Sequence, residues 1–412
     1  MLRTYKVRLL SNNKQLTRLL QTAEAARFAY NWAIAYERQN YEAGEKFISD
    51  GVLRKIFTQL KKQEEYSWLN MVSNEALKQA IKDACRAYER FFKKLSDKPQ
   101  FKTKHHNLPS FQGRQGHIEF TETHVKLEKL SSSRKPNRKK LNWVRLAEKN
   151  RIPIGVEYYN PRITFDGLHW WVSVSVEEAE NTEKPTNDGI GIDLGIKDLA
   201  ICSDGETYSN INKTSKVKKL SKKLKREQRK LSRKFQDNVD HYVKKGKGQA
   251  PVFKRHLSEC KNYQKQKLEV LRLHQKLTNI RQNYLQQTTS KIVNRKPKFI
   301  VLEDLNVKGM MKNRHLSKAI SEQKLAEFRR QITYKCERNN IQLIIADRFF
   351  PSSKTCSCCG FVKKDLTLKD RIYICPECGN IIDRDYQAAL NLRNYGAKQM
   401  ANIKEGEELL AG

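Results

Sequence analysis

The sequence predicts a multidomain protein, α/β in one part and α+β in another. Three observations predict it. A strand pattern at the N-terminus yields to a long helical block and then returns. A second set of apolar strands opens after an acidic stretch carrying Pro185, and a strongly basic helical segment splits it. Two Cys-x-x-Cys-Gly knuckles stand near the C-terminus. With 412 residues the chain has room for roughly two to four cores.

Tyr5, Val7 and Leu9 alternate with Lys6 and Arg8, the period of a half-buried strand. From about Lys14 to Leu95 the apolar spacing is helical: Leu16, Leu19, Leu20, Ala23, Ala26, Phe28, Ala29 and Trp32 form one stripe. Gly44 and Asp50-Gly51 punctuate this block. Strand patterns resume near His117. Ile163-Thr-Phe165 and Leu168 to Val176 read as a hairpin around a two-residue Asp166-Gly167 turn. These strands, with the first, suit one small barrel at 1–13 and 105–180, interrupted by a helical insertion at 14–104. Residues 181–188 read as a linker. Ile190 to Cys202 reads as two strands around Gly195, and Phe299 to Glu303 as a buried strand. Residues 213–290 read as a basic helical insertion, and 397–412 as a weakly patterned, mobile tail.

There are 81 Lys and Arg against 45 Asp and Glu, a net charge of +36, with a mean hydropathy of −0.77. Such a field opposes compaction unless a polyanion neutralises it, and nucleic acid fits better than a membrane surface. No apolar run approaches the roughly 20 residues that span a bilayer, and the basic start lacks the apolar core of a signal peptide. The expected location is the cytoplasm, without a membrane partner. From Lys213 to Lys234 there are twelve Lys or Arg and one acid, Glu227, with Leu220, Leu224 and Leu231 on one stripe. Solvated helices ordinarily mix signs, so Lys218, Lys219, Lys222, Lys223, Lys225, Arg226, Arg229, Lys230, Arg233 and Lys234 are read as phosphate-binding.

Five of the nine cysteines lie between Cys356 and Cys378, the distribution of a metal site rather than a disulfide framework. Cys356, Cys359, Cys375 and Cys378 form two knuckles, each followed by a Gly that permits positive φ. Four thiolates close a structural zinc site and leave no open catalytic position. Cys358 competes as a ligand, but only Cys359 repeats the spacing and following Gly of the second knuckle.

Asp193 lies at the end of an apolar strand beside Gly195, Glu303 ends Ile300-Val-Leu-Glu, and Asp385 precedes a helical pattern. Each has an ordinary structural reading: hairpin end, solvated strand end and helix N-cap. Two carboxylates 5 Å apart repel by about 3 kcal/mol at an effective dielectric near 20, so clustered acids make sense around divalent ions.

In this order the motifs Gly-Ile-Asp193-Leu-Gly, Val-Leu-Glu303-Asp-Leu-Asn, Pro351-Ser-Ser-Lys-Thr-Cys356, the paired Cys-x-x-Cys and Asp383-Arg-Asp385-Tyr-Gln-Ala-Ala resemble the TnpB (OrfB-type) proteins of insertion sequences, relatives of type V CRISPR effector nucleases. Leu19 to Trp32 resembles that family's helix-turn-helix segment, and the resemblance reaches to about Tyr395. It implies a RuvC-like, RNase H-type nuclease domain at 189–353 and 380–396, a zinc ribbon at 354–379, and a β-barrel wedge domain carrying a helical recognition domain. It implies Asp193, Glu303 and Asp385 as catalytic residues holding two Mg²⁺, with Asp383 as rival for the third place, beside one structural Zn²⁺. Gln387 departs from the family's usual Asn. The implied partners are a guide RNA from the element's end and double-stranded target DNA with a short flanking motif, in a prokaryotic cytoplasm at the nucleoid. The implied activity is Mg-dependent, RNA-guided DNA cleavage aiding transposon maintenance. The rivals are a transposase acting in strand transfer, for which no strand-transfer apparatus is visible, and a nuclease-inactive RNA-guided repressor, which loss of an acid would favour.

Overall fold

The computed structural model describes residues 1–411 except 105, 132–140, 180, 247 and 368–369. It divides into two compact units, Met1–Ala179 and Glu180–Gly412.

The first unit opens with strand β1 (Leu2–Leu10), whose Tyr5, Val7 and Leu9 are buried as the alternation predicts. Helix α1 (Asn13–Glu42) starts at a capping box: the Gln15 N–H donates to Asn12 Oδ1 at 2.9 Å and the Asn12 N–H to Gln15 Oε1 at 3.0 Å. It runs unbroken through Leu19–Trp32. Positive φ at Gly44 follows its end. Helices α2 (Asp50–Leu60) and α3 (Asn74–Phe92) complete the helical block, and α3 buries Ala76, Leu77, Ala80, Ile81 and Ala84. The chain returns as β2 (Ser110–Gln112), β3 (Glu119–Phe120), β4 (His124–Lys126), β5 (Trp143–Leu146), β6 (Tyr159–Phe165) and β7 (Trp170–Glu177). The seven strands order β2-β6-β7-β1-β5-β4-β3. β1 sits mid-sheet, antiparallel to both β7 and β5.

The sheet departs from the sequence reading in two ways. It is open: among the described residues its edge strands β2 and β3 do not pair, so no barrel closes. The β6–β7 turn holds four residues, since Phe165 pairs with Trp170. Asp166 decides this. Its carboxylate accepts the N–H groups of Leu168 and His169 at 2.8 and 2.7 Å and the Trp171 indole N–H at 2.7 Å, drawing the chain around Gly167, at φ +95°.

The second unit begins with hairpin β8 (Ile190–Leu194) and β9 (Asp198–Cys202), then β10 (Thr207–Ser209). Helix α4 (Ser215–Asp237) leads through β11 (Val239–Lys245) and β12 (Gly248–Phe253) into α5 (Lys261–Val293). That antiparallel hairpin corrects the all-helical reading of 213–290. Its weak pattern hides it: Val239, Tyr242 and Val243 stand among polar residues, and cross-strand pairing rather than burial holds most of it. Then come β13 (Phe299–Glu303), α6 (Val307–Met310), α7 (Ser317–Gln323), α8 (Leu325–Arg338), β14 (Gln342–Ala346), β15 (Ile372–Ile374), β16 (Ile381–Asp383) and α9 (Arg384–Ala411). The segment read as a weakly patterned tail continues α9 to Ala411, since an established helix adds one backbone hydrogen bond per further residue.

The central sheet orders β10-β9-β8-β13-β14, with β8, β13 and β14 parallel and β9 and β10 antiparallel. β13 is buried on both faces. Ile300 and Leu302 join the core beneath α5 and α8, while Phe299 and Val301 pack with Leu392 of α9. That is why its sequence is a continuous apolar run.

Candidate functional site

Three of the predicted acids lie at the carboxyl edge of the parallel strands or beside it. Asp193 is the penultimate residue of β8, Glu303 the last of β13, and Asp385 lies in the first turn of α9. Helix α9 reaches them because Gly191 of β8 has no side chain: a Cβ there would stand 2.1 Å from the Ala389 carbonyl oxygen and 2.4 Å from the Arg393 nitrogen. Gly396 does the same against β13, where a Cβ would meet Val301 at 2.4 Å. Gly191 is thus the close-approach glycine of the Gly-Ile-Asp-Leu-Gly motif.

The acids act on one another electrostatically. Burial, then the Glu303 and Asp385 carboxylates, raises the Asp193 carboxyl well above the usual carboxylate range. Glu303 Oε1 accepts the Ser352 hydroxyl at 2.5 Å. Asp385 faces two guanidinium groups, Arg371 at 3.7 Å and Arg384 at 3.5 Å. Asp383 has another task. Its Oδ1 accepts the N–H groups of Asp385 and Tyr386 at 2.9 and 3.0 Å, so it caps α9 while Asp385 is held inward. Asp304, adjacent to Glu303, is committed to Arg329 at 2.8 Å and to Arg348, which hold its carboxyl low.

Sequence reasoning missed Ser352 and Arg371. Ser352 lies inside the quoted Pro-Ser-Ser-Lys motif, so its presence was visible, though its partner was not. Gln387 is fully buried, and its Oε1 accepts the Ser357 N–H at 3.5 Å, which places its amide at the first knuckle rather than on the acids.

Cys356, Cys359, Cys375 and Cys378 form the one group among the described residues whose possible metal-ligand atoms all lie within 4.8 Å of each other. Cys356 and Cys378 sulfurs are 3.6 Å apart, and Cys359 and Cys375 sulfurs 3.5 Å. Tetrahedral thiolates around zinc, with Zn–S near 2.3 Å, stand about 3.8 Å apart, so this donor set fits that ion. The knuckles repeat in detail. The Gly360 N–H donates to Cys356 O at 3.0 Å and the Gly379 N–H to Cys375 O at 3.1 Å, with φ of +79° and +69°. Burial pushes the Cys356 thiol up, but the N–H groups of Cys359 and Cys358 and the Cys378 and Cys375 sulfurs together outweigh it and bring it to about 6. Cys358 is exposed and lies outside the cluster.

Of the ten cations predicted to bind phosphate, all but Lys234 are exposed along α4. Lys223 meets Glu269 at 3.1 Å, and Lys230 and Arg226 meet Glu227 at 3.1 and 3.5 Å. Glu227 is held to about 2 by the Gln266 amide and by Lys230. Among the described residues Lys218, Lys219, Lys222, Lys225, Arg229 and Arg233 have no ion-pair partner. No described helix is long and apolar enough to cross a membrane.

A mixed α/β unit carrying an edge of acids and a four-cysteine ribbon defines the class, and its fold is that of Cas12f. The chain resembles Cas12f1 in a complex with single-guide RNA and target DNA, with a TM-score of 0.54 at 13% identity over 95% of this chain and 98% of that one. Three family models match: a helix-turn-helix domain at residues 1–46, the OrfB/IS605 "Probable transposase" at 172–314, and the Cas12f1-like TNB domain at 326–392. A candidate RNA-guided DNA endonuclease of Streptomyces pristinaespiralis is 29% identical over 95% of this chain and 88% of its own length. InsQ of Escherichia coli, likewise a candidate RNA-guided DNA endonuclease, is 29% identical over 97% of this chain and 94% of its own. These matches make the chain similar to the TnpB (OrfB-type) proteins of insertion sequences.

Proposed function

We propose that this protein is a transposon-encoded, RNA-guided DNA endonuclease that cleaves phosphodiesters in a RuvC-type site and aids maintenance of its element. One observation supports the reading: Asp193 and Glu303, at the ends of β8 and β13, and Asp385, in the first turn of α9, are far apart in sequence yet electrostatically coupled, Glu303 and Asp385 raising the buried Asp193. Acids so gathered repel, which makes them a poor structural device and a good cation site. The strand order, antiparallel at β10 and β9 and parallel from β8 to β14, supports a RuvC-like, RNase H-type domain at 189–353 and 380–396. The first unit would serve as wedge (1–13 and 105–180) and helical recognition domain (14–104).

Asp193, Glu303 and Asp385 would hold two Mg²⁺, which when bound supply an activated water and stabilise the leaving 3′-oxygen. Ser352 fixes the orientation of Glu303 through its hydroxyl, and Asp383 fixes the start of α9 so that Asp385 stays inward. The cysteine ribbon would hold one structural Zn²⁺. Cations on α4 would bind guide-RNA phosphates, leaving sequence choice to base pairing with one DNA strand beside a short flanking motif.

The test is cleavage of DNA matching a bound RNA in Mg²⁺. Asp193→Ala, Glu303→Ala and Asp385→Ala are each expected to lose several kcal/mol of barrier lowering, on the order of a thousandfold or more in rate, with RNA binding intact. Alanine variants that cleave like the parent would sink the site assignment. Guided binding without cleavage by the parent would leave a repressor.

A further inference from the structure

Phe349 is 87% exposed, more than any other large hydrophobic side chain among the described residues. Scattered surface aromatics ordinarily need no explanation. Two observations set this one apart.

The first is its place. In the parallel register Ala346 stands opposite Glu303, so the loop leaving β14 departs from the same carboxyl edge that carries the acids. Ligands of open α/β sheets sit outside the carboxyl ends of the strands. Three residues beyond Phe349, Ser352 donates its hydroxyl to Glu303 at 2.5 Å. The second is rigidity. The Phe349 N–H donates to Asp347 Oδ1 at 2.7 Å, and the Phe350 N–H to Asp347 O at 3.1 Å. Arg348 pairs with the Asp304 carboxylate, and its Nε donates to the Asp304 carbonyl at 3.3 Å. Phe350 turns inward onto Tyr395, ring centroids 4.9 Å apart. The loop is tied down on both sides of a ring left in water.

We propose that Phe349 is a stacking platform for one unpaired nucleobase of the DNA strand that enters the carboxylate site. This rests on the endonuclease reading above. A single ring 87% exposed on a tied-down loop suits one flat π-face. Every base offers such a face once it leaves the duplex, and a chain of +36 supplies the backbone attraction. A pre-positioned aromatic loses little conformational freedom on stacking, so the platform would hold the strand in register without reading its sequence.

The test uses full-length protein loaded with its RNA. Phe349→Ala should lower kcat/KM for matched DNA roughly 10- to 100-fold, mainly through KM, the range of one base–aromatic stack. Phe349→Trp should restore cleavage to within about threefold of the parent, whereas Phe349→Leu, apolar without a π-face, should behave like alanine. The exposed position leaves folding intact, checked by unchanged thermal unfolding. A second readout needs no cleavage. In the Asp385→Ala background, 2-aminopurine stepped through the DNA strand around the cut should be quenched at one position, and Phe349→Ala should abolish that quenching. Full activity in Phe349→Leu, parental kcat/KM in Phe349→Ala, or quenching indifferent to Phe349 overturns the platform. Failure of the parent to cleave refutes the endonuclease reading and leaves the fluorescence result to decide the stacking site.

Discussion

Asp383 and Asp385 differ by two positions and make different contacts, and the difference lies in hydrogen bonds rather than in charge. Asp383 receives two N–H groups at the start of α9 and behaves as a cap. Removing a cap costs about 1 kcal/mol of stability. Asp383→Ala is therefore expected to lower Tm by a few degrees and keep most cleavage, while Asp385→Ala keeps Tm and loses cleavage. The reverse pattern would move the third acid to Asp383. The cysteines separate in the same way. Cys375 is buried among three other sulfurs, whereas Cys358 is exposed outside the cluster. Elemental analysis should find about one zinc per chain in the parent and in Cys358→Ser, and a large loss in Cys375→Ser. Full zinc in Cys375→Ser would refute the ligand set.

At the scale of elements, the contact of α9 with β8 is a backbone contact. Gly191→Ala would force a Cβ to about 2 Å from a carbonyl oxygen of α9, and a helix backbone cannot swing aside as a side chain can. Overpacking of this kind costs about 1–3 kcal/mol, and the same shift carries Asp385 away from Asp193. The expected result is a lower Tm together with a cleavage loss well beyond what the fraction folded explains, and zinc retained; parental cleavage would show that α9 tolerates the move. The α5–α8 contact holds a different feature. Lys335 is buried, and its ammonium donates to Gln286 O at 3.0 Å, Thr289 Oγ1 at 2.6 Å and Ser290 Oγ at 2.9 Å, with no carboxylate among them. Burial, then Arg338, lowers it to about 8. The folded form thus binds fewer protons than the unfolded chain between about pH 8 and 10.5, and stability rises with pH across that window. Lys335→Met lacks this dependence. Its Tm relative to the parent should be highest below pH 8 and decline toward pH 10; a constant offset would show that Lys335 titrates normally.

For the whole molecule the decisive quantity is a charge of +36 and where it is left unpaired. Lys222, Lys225, Arg229 and Arg233 recur along one stripe of α4 and have no described ion-pair partner, unlike Lys223 and Arg226. Replacing those four by Gln should flatten the slope of log K for RNA against log salt by about three units, since each neutralised phosphate contributes roughly 0.7 to 0.9. The Lys223 and Arg226 pair should contribute less per residue, because each already meets a carboxylate. An unchanged slope in the quadruple variant would make α4 an ordinary solvated helix.

Local chemistry was legible without coordinates. The alternation of β1, the stripe of α1, the breaks at Gly44 and Asp50, the apolar run of β13 and the duplicated knuckles are all short-range patterns, and each appears where its period or spacing placed it. The knuckles are the clearest case, because four thiols and two glycines at fixed spacing leave few ways to fold. Tertiary structure decided what depends on partners distant in the chain. An open sheet and a barrel share one alternation and differ only in whether the edge strands meet. The β11–β12 hairpin is held by cross-strand pairing that weak apolar patterning does not announce. Asp166 drew its turn to four residues through an indole two strand positions beyond it. Above all, Asp193, Glu303 and Asp385 acquire a shared electrostatic field only once β13 pairs with β8 and a side-chain-free Gly191 lets α9 close over them. A sequence displays each acid with its neighbours along the chain, whereas charge coupling depends on distance through space.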